Sequence, residues 1–377
     1  MLNENKWIIK MKKLFFFFLL TNIVFSQIVK DSVTSDNGSG WLAFPFASYT
    51  PETEWAFGAA GLFYFRTSSN TFSNLRASNI ITSTQYTTKK QFLIELDYDV
   101  YFSEDDHHFY GYVSYNKFPS SFFGIGNFTQ KENEEVYTSR YYFIKNAFTK
   151  RIIRKGTGGL YIGLRQEFRN DKIVSVEPDG IINTSQITGF NGGTISGLGV
   201  IAIFDTRDNT FSSSEGEYVE TQLSFFTKAF LSDYNFNNLL VDVRKYHPIY
   251  IWDSQTIIAM QFSANIANDD VPFYVLPTFG GSYNMRGVFS GRYRDKNMFF
   301  LQTEYRFPVY WIVNMTAFAG IAQVANTIKD YSLNDLIIAY GFGIRLNVIP
   351  DEKISLRADI GFSKEGSQIY LGFGEAF

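Results

Sequence analysis

The chain of 377 residues contains no cysteine, 3 histidines and 9 prolines. Without cysteine it forms no disulfides and no cysteine-ligated metal site, and no lipid-modified cysteine can follow a leader peptide. The histidines are His107, His108 and His247. Adjacent residues on a strand point to opposite faces and no third ligand accompanies them, so neither a metal nor a cofactor is expected. Beyond the N-terminus no segment approaches the roughly 18 consecutive apolar residues of a spanning helix, which argues against a helical membrane protein. A basic excess is missing too: 34 Lys and Arg stand against 37 Asp and Glu, a net charge of -3. Nucleic acid is therefore not an expected partner.

What the chain has instead is aromatic residues, 40 Phe and 24 Tyr, at a mean hydropathy of only -0.11. Strands with one apolar face produce that combination. In the stretch Phe279 to Pro308, Leu301, Tyr305 and Phe307 alternate with Gln302, Glu304 and Arg306, so the two sets fall on opposite faces. Similarly, Phe92, Ile94, Leu96, Tyr98 and Val100 oppose Glu95, Asp97 and Asp99, and Tyr340, Phe342, Ile344 and Leu346 oppose Gly341, Gly343, Arg345 and Asn347. Burying the polar face in a dry core is costly. A wet lumen on one side and lipid on the other resolves the conflict, and the fold expected is all-β, a transmembrane antiparallel β-barrel.

Sixteen strands are expected, near 41-49, 54-66, 73-86, 90-102, 108-117, 136-150, 158-169, 193-206, 216-229, 236-247, 254-267, 297-309, 313-325, 336-348, 352-363 and 368-377. The number is even, as single-chain bacterial barrels require. The three longest connections, 118-135, 170-192 and 268-296, all follow odd-numbered strands and so share one end of the barrel. Ahead of the barrel, Lys10, Lys12 and Lys13 precede the apolar run Leu14 to Leu20, and Val24-Phe25-Ser26 offers a small residue for cleavage. This marks 1-26 as a signal peptide, with Met1 or Met11 as its start. Residues 27-40 form a short N-terminal segment, and 41-377 form the barrel, expected in the outer membrane among lipopolysaccharide and phospholipid.

The segment GGSYNMRGVFSGRYRDKN, followed by QTEYRFP, resembles the BamA/TamA superfamily of outer-membrane assembly and translocation barrels, the bacterial surface antigen family. SYTPETEWAFGAAGLFYF, FFGIGN (Phe122 to Asn127) and FDTRDNTFSSSEGEYVE (Phe204 to Glu220) agree with it in order. The resemblance implies that the long sixth outer loop folds into the lumen. Its motif here is Gly280, Gly281, Arg286 and Gly287, and Arg286 is expected to meet Glu304 and Asp359. The resemblance further implies assistance in assembly, insertion or export of envelope components, with envelope protein clients. Two positions depart from the pattern: Val288 stands where an aromatic is usual, and Gly320 where an aspartate is usual. The periplasmic POTRA repeats of that family do not fit in the about 14 residues from Gln27 to Gly40, far short of a domain, so a partner supplying such domains in trans is expected. A passive pore or plugged structural barrel is the alternative.

The last expected strand, with Tyr370, Phe373 and Phe377, resembles the C-terminal signal by which such barrels are assembled. No enzyme is expected. Asp205, Arg207 and Asp208 fit turn pairing, no GxSxG is present, and Glu95, Asp97 and Asp99 suit the balancing of lumen arginines such as Arg165, Arg345 and Arg357 better than acid-base work.

Overall fold

Period-two alternation dictates a fold in which apolar side chains line the outside. The computed structural model describes residues 39–65, 78–103, 105–156, 158–209, 212–251, 254–349 and 354–377. The expected signal peptide, 1-26, lies outside the described residues, as do residues 27–38 and the first part of the expected strand 73-86. The strands are β1 (Ser39–Thr50), β2 (Glu54–Phe65), β3 (Ser78–Thr87), β4 (Phe92–Phe102), β5 (His107–Phe122), β6 (Glu135–Lys155), β7 (Gly158–Ser175), β8 (Gly192–Asp205) and β9 (Gly216–Phe226). They continue as β10 (Phe236–Ile251), β11 (Ser254–Ala267), β12 (Thr278–Phe279), β13 (Tyr293–Arg294), β14 (Asn297–Tyr310), β15 (Val313–Ala325), β16 (Ile337–Ile349), β17 (Ile354–Ser363) and β18 (Gly366–Phe373).

Sixteen of them, all but β12 and β13, close into one antiparallel barrel in sequence order. Closure brings together the two edge strands that an open sheet would leave apart. β12 and β13 pair with each other inside the connection from β11 to β14. One ladder differs from the rest. β1 is registered with β2 from Ser39↔Phe65 to Thr50↔Glu54, and β17 with β18 from Leu356↔Phe373 to Ser363↔Gly366. β1 and β18, which close the barrel, are registered only at Tyr49↔Leu371.

The two surfaces of the wall are chemically opposite. Ile338, Tyr340, Phe342 and Ile344 of β16 are exposed, as are Leu301 of β14, Ile360 of β17 and Ile369 of β18, while the alternating Arg345, Glu304, Arg306, Asp359 and Tyr370 are buried. That inversion of the usual soluble pattern matches a barrel standing in an apolar medium. At the end bearing the long connections, Phe122, Tyr137, Ile182, Phe226, Phe273 and Tyr274 form an apolar cluster that joins the 176–191 and 268–276 segments to the rims of β5, β6 and β9.

The last strand is shorter than expected, ending at Phe373 rather than at 377. Gly374 takes the left-handed conformation (φ 69°), which leaves the sheet, and its N–H donates to Ser355 O at 2.8 Å. A glycine adopts this turn without the steric cost that other residues carry. The two faces have a direct test: Phe342→Arg, placing a charge on the outward face, is expected to lower stability after refolding into lipid vesicles by ~2–4 kcal/mol. Equal stability of the variant and the parent would mean that this face does not contact lipid.

Candidate functional site

The connection between β11 and β14 is long enough to reach across the barrel, and its glycines decide how closely it approaches the wall. β12 and β13 hold its neck, with Thr278↔Arg294 and Phe279↔Tyr293 as partners. At the tip, Gly287 has φ 101°, and a Cβ on it would lie 2.8 Å from Phe362 N. Opposite it, a Cβ on Gly361 of β17 would lie 2.5 Å from Gly287 N. Backbone therefore packs directly on backbone, which only glycine at both positions permits. Hydrogen bonds fix the contact: Gly287 N donates to Tyr370 Oη at 3.0 Å, and Ser363 Oγ donates to Gly287 O at 2.7 Å.

This seating carries Arg286 to the inward faces of β14, β15 and β17. It is 1% exposed, Glu304 0% and Asp359 3%. Arg286 Nη1 donates to Asp359 Oδ2 at 2.7 Å, Nη2 donates to Glu304 Oε2, and the guanidinium lies 3.7 Å from the ring centroid of Phe318. Each carboxylate serves a second arginine. Glu304 accepts from Arg306 Nε at 2.8 Å, and Asp359 accepts from Arg345 Nη1 at 2.5 Å. Glu375, in the tail after β18, extends the chain of charges by accepting from Arg345 Nε at 2.8 Å. A guanidinium fork between two carboxylates is a strong, directional arrangement in a space with little water.

The remaining loop residues reach outward from this anchor. Gly280 N donates to Asn284 O at 2.5 Å and Gly281 N to Val288 O at 2.9 Å, which shapes the tip. Val288 is fully buried beside Phe279, Met285 and Tyr293, so the position that departs from the aromatic pattern is an apolar packing position. Gly320, the other departure, lies under Met285: a Cβ there would come within 2.5 Å of Met285 Sδ. The methionine of the tip fills the room a larger residue would need. Ser290 N donates to Glu52 Oε1 at 2.7 Å, and Arg292 donates to Thr129 Oγ1 and Thr129 O, each at 2.6 Å. Tyr293 donates to Glu365, and burial pushes the Tyr293 hydroxyl pKa up, which keeps it a donor.

Other residues singled out in the sequence are placed elsewhere. Tyr370 faces inward against the loop tip and is fully buried. Phe373 ends β18. Phe377 lies beyond the sheet, where its carbonyl accepts from Arg306 Nη2 at 2.8 Å and its ring centroid is 5.6 Å from that guanidinium. Glu95, Asp97 and Asp99 do not meet Arg165, Arg345 or Arg357, which corrects the expected pairing. Glu95 accepts from Tyr112 Oη at 2.6 Å, Asp99 lies 2.6 Å from His108 Nε2, and Arg165 pairs with Glu167 two residues along its own strand. β4 is too many strands away from β16 and β17 for a side chain to span; same-face neighbours prevail. Arg207 grips Asp205 with Nε at 2.9 Å and Nη2 at 3.0 Å, while Asp208 accepts from Ser214 N at 2.8 Å, so this motif organises a turn. Ser363, Gly361 and Phe318 belong to the loop's seat without any sequence reading having marked them. Their signal is position alone, on inward strand faces opposite Arg286 and Gly287.

Replacing Arg286 by alanine removes the shared donor from two buried carboxylates, and the expected cost is about 3–5 kcal/mol. Arg286→Lys is expected to restore only part of it, because a single ammonium cannot bridge both acids with the geometry of a fork. Heat-dependent unfolding on semi-native gels checks both variants, and an unshifted transition for Arg286→Ala would remove the ion-pair account.

The family model of the Omp85 superfamily domain matches residues 66–377. Among solved structures, BamA from Haemophilus ducreyi lacking POTRA domains 1-3 is similar at a TM-score of 0.61 and 14% identity, over 90% of this chain and 70% of that one. CdiB from Acinetobacter baumannii is similar at 0.59 and 11%, over 90% of this chain and 60% of that one. CdiB from Escherichia coli follows at 0.57 and 11%, over 89% and 62%. The chain thus spans less than two thirds of either CdiB chain, and at these identities the likeness is one of fold. No curated protein matches the chain in sequence. The family match runs over most of the described barrel, including the whole loop and the strands that seat it, and on that ground the chain belongs to the Omp85 superfamily.

Proposed function

We propose that this protein resides in the bacterial outer membrane and assists the assembly, insertion or export of envelope components. In this reading the long-connection end faces outward, lipopolysaccharide and phospholipid surround the wall, and clients or a partner with periplasmic domains approach from the short-turn end. Omp85 membership supports the general class of assembly and translocation. One observation favours a working role over a static one: the ladder that closes the barrel is registered at a single position, Tyr49↔Leu371, and the strand next to that position carries Tyr370, which holds the loop tip. Release of the tip and parting of β1 from β18 are then linked motions, because both loosen β18.

Cysteines test this cleanly, since the chain has none of its own. Directly paired residues in an antiparallel ladder have Cα atoms about 4.5–5.5 Å apart, within disulfide range. The double variant Tyr49→Cys with Leu371→Cys is expected to oxidise across the seam and to fail to restore envelope protein and lipid composition in depleted cells until a reductant is added. Full complementation by the oxidised form would exclude an opening seam. The alternative, a plugged structural barrel, draws on the complete burial of Met285, Arg286 and Val288. It is distinguished by depletion, which in that case leaves envelope composition unchanged.

A further inference from the structure

Three cations stand in line on the outward face of the wall, toward the end bearing the long connections. Lys117 of β5 is registered with Arg140 of β6, and Arg140 with Lys172 of β7. All three are exposed and alternate with the buried Asn116, Ser139 and Asp171, so they share the outward face. Directly opposed residues on one face have Cβ atoms about 4.5–5.5 Å apart, and like charges so placed destabilise a sheet. The carboxylates close to them in sequence are engaged elsewhere. Asp171 turns inward to Arg169 Nε at 2.5 Å, Glu134 accepts from Ser121 Oγ at 2.7 Å, Glu135 from Ile182 N at 2.9 Å and Glu177 from Val136 N at 2.9 Å.

What lies beneath the row sets its height in the membrane. Tyr115 and Tyr142, the next outward residues of β5 and β6 toward the short-turn end, pack with ring centroids 5.0 Å apart, and Phe92 of β4 joins Tyr115 at 6.4 Å. Farther down the same wall Phe148, Ile162 and Leu164 are exposed. The next outward cation of β6 is Lys150, registered with His107 at the short-turn rim. The wall between the two cationic levels is about the 9–11 residues that a tilted strand uses to cross a bilayer. Aromatic girdles mark the borders of the lipid band, so Lys117, Arg140 and Lys172 stand where the headgroups of one leaflet begin.

We propose that Lys117, Arg140 and Lys172 bind the phosphorylated headgroup of a lipopolysaccharide molecule standing against the wall. The guanidinium fork of Arg140 matches a pair of phosphate oxygens, and the two flanking ammonium groups add point charges. The occupant is a lipid rather than a free ion. The three exposed side chains do not enclose a small anion, whereas the aromatic and apolar residues below them continue into a surface suited to acyl chains. The inference rests on the reading that the long-connection end faces outward, and it adds a specific lipid contact to that reading.

Binding of fluorescent lipopolysaccharide to the protein, purified in a phosphate-free non-ionic detergent, tests the site. The triple variant Lys117→Gln, Arg140→Gln and Lys172→Gln is expected to bind roughly a hundredfold more weakly. It is expected to unfold at the parent's temperature or above it, since only mutually repelling charges are lost. Arg140→Gln alone is expected to lose part of the affinity, which covers the case in which the triple variant does not fold. Lys150→Gln at the opposite rim is expected to bind as the parent does. Lipopolysaccharide stripped of its phosphates is expected to bind the parent as weakly as intact lipid binds the triple variant, and inorganic phosphate at the concentration of the lipid is expected not to displace it. Unchanged affinity in the folded variants, or for the stripped lipid, overturns the site. Displacement by inorganic phosphate overturns assignment to the lipid, and an equal loss in Lys150→Gln overturns its placement at this rim. Detergent solution has no sides, so these failures leave the outer-membrane reading standing. That reading has its own check: Lys131→Cys, in the connection after β5, is expected to react with a membrane-impermeant thiol reagent on whole cells, and absence of labelling overturns the orientation.

Discussion

A charged group inside a barrel must find its partner on the wall or on whatever enters the lumen, and Arg286 is the group on which the loop end of this fold depends. Its fork spans Glu304 on β14 and Asp359 on β17, two strands separated by β15 and β16 in the barrel order. A single side chain thereby braces an arc of the wall that backbone ladders connect only strand by strand. The same contact positions Met285 over Gly320 and Gly287 against Gly361, so the tip is fixed by charge, by apolar filling and by glycine contact at once. Burial makes each of these interactions depend on the others, because unpaired charge is tolerated poorly where water is scarce.

The mechanical consequence is an asymmetric barrel. From β14 to β18 the wall is tied to the loop, whereas the closure between β18 and β1 rests on one registered position. Tyr370 stands between the two regimes, on the strand that forms the weak closure and in contact with the loop tip. A strongly braced arc ending at a weakly paired edge concentrates motion at that edge, since opening elsewhere would break a long ladder.

Much of this fold was legible in the sequence because a strand's period is two and the wall separates lipid from a polar interior. The number of strands, the end carrying the long connections and the inward faces of Glu304, Arg306, Arg345 and Asp359 all follow from that period. Register does not. Which inward residue lies opposite which depends on how the ladders slide, so Ser363, Gly361 and Phe318 carried no local sign of their part in seating the loop. The same limit misled the reading of Glu95, Asp97 and Asp99: their inward face is evident, but their partners are set by neighbouring strands, where Tyr112 and His108 stand closer than any distant arginine. The departure of the tail at Gly374 was only partly legible: Glu375 interrupts the apolar face of Ile369, Leu371 and Phe373, yet Phe377 resumes it, although the backbone has left the sheet.

The claim that Arg286 holds the loop in place is tested most directly by a proximity measurement within the folded barrel. Ser290 and Glu52 meet through a hydrogen bond of 2.7 Å, and cysteines at these two positions can be joined by a short bifunctional thiol reagent in intact membranes. The account predicts efficient cross-linking in the otherwise unaltered chain and a marked loss when Arg286→Ala is added. Equal cross-linking with and without Arg286 would contradict it.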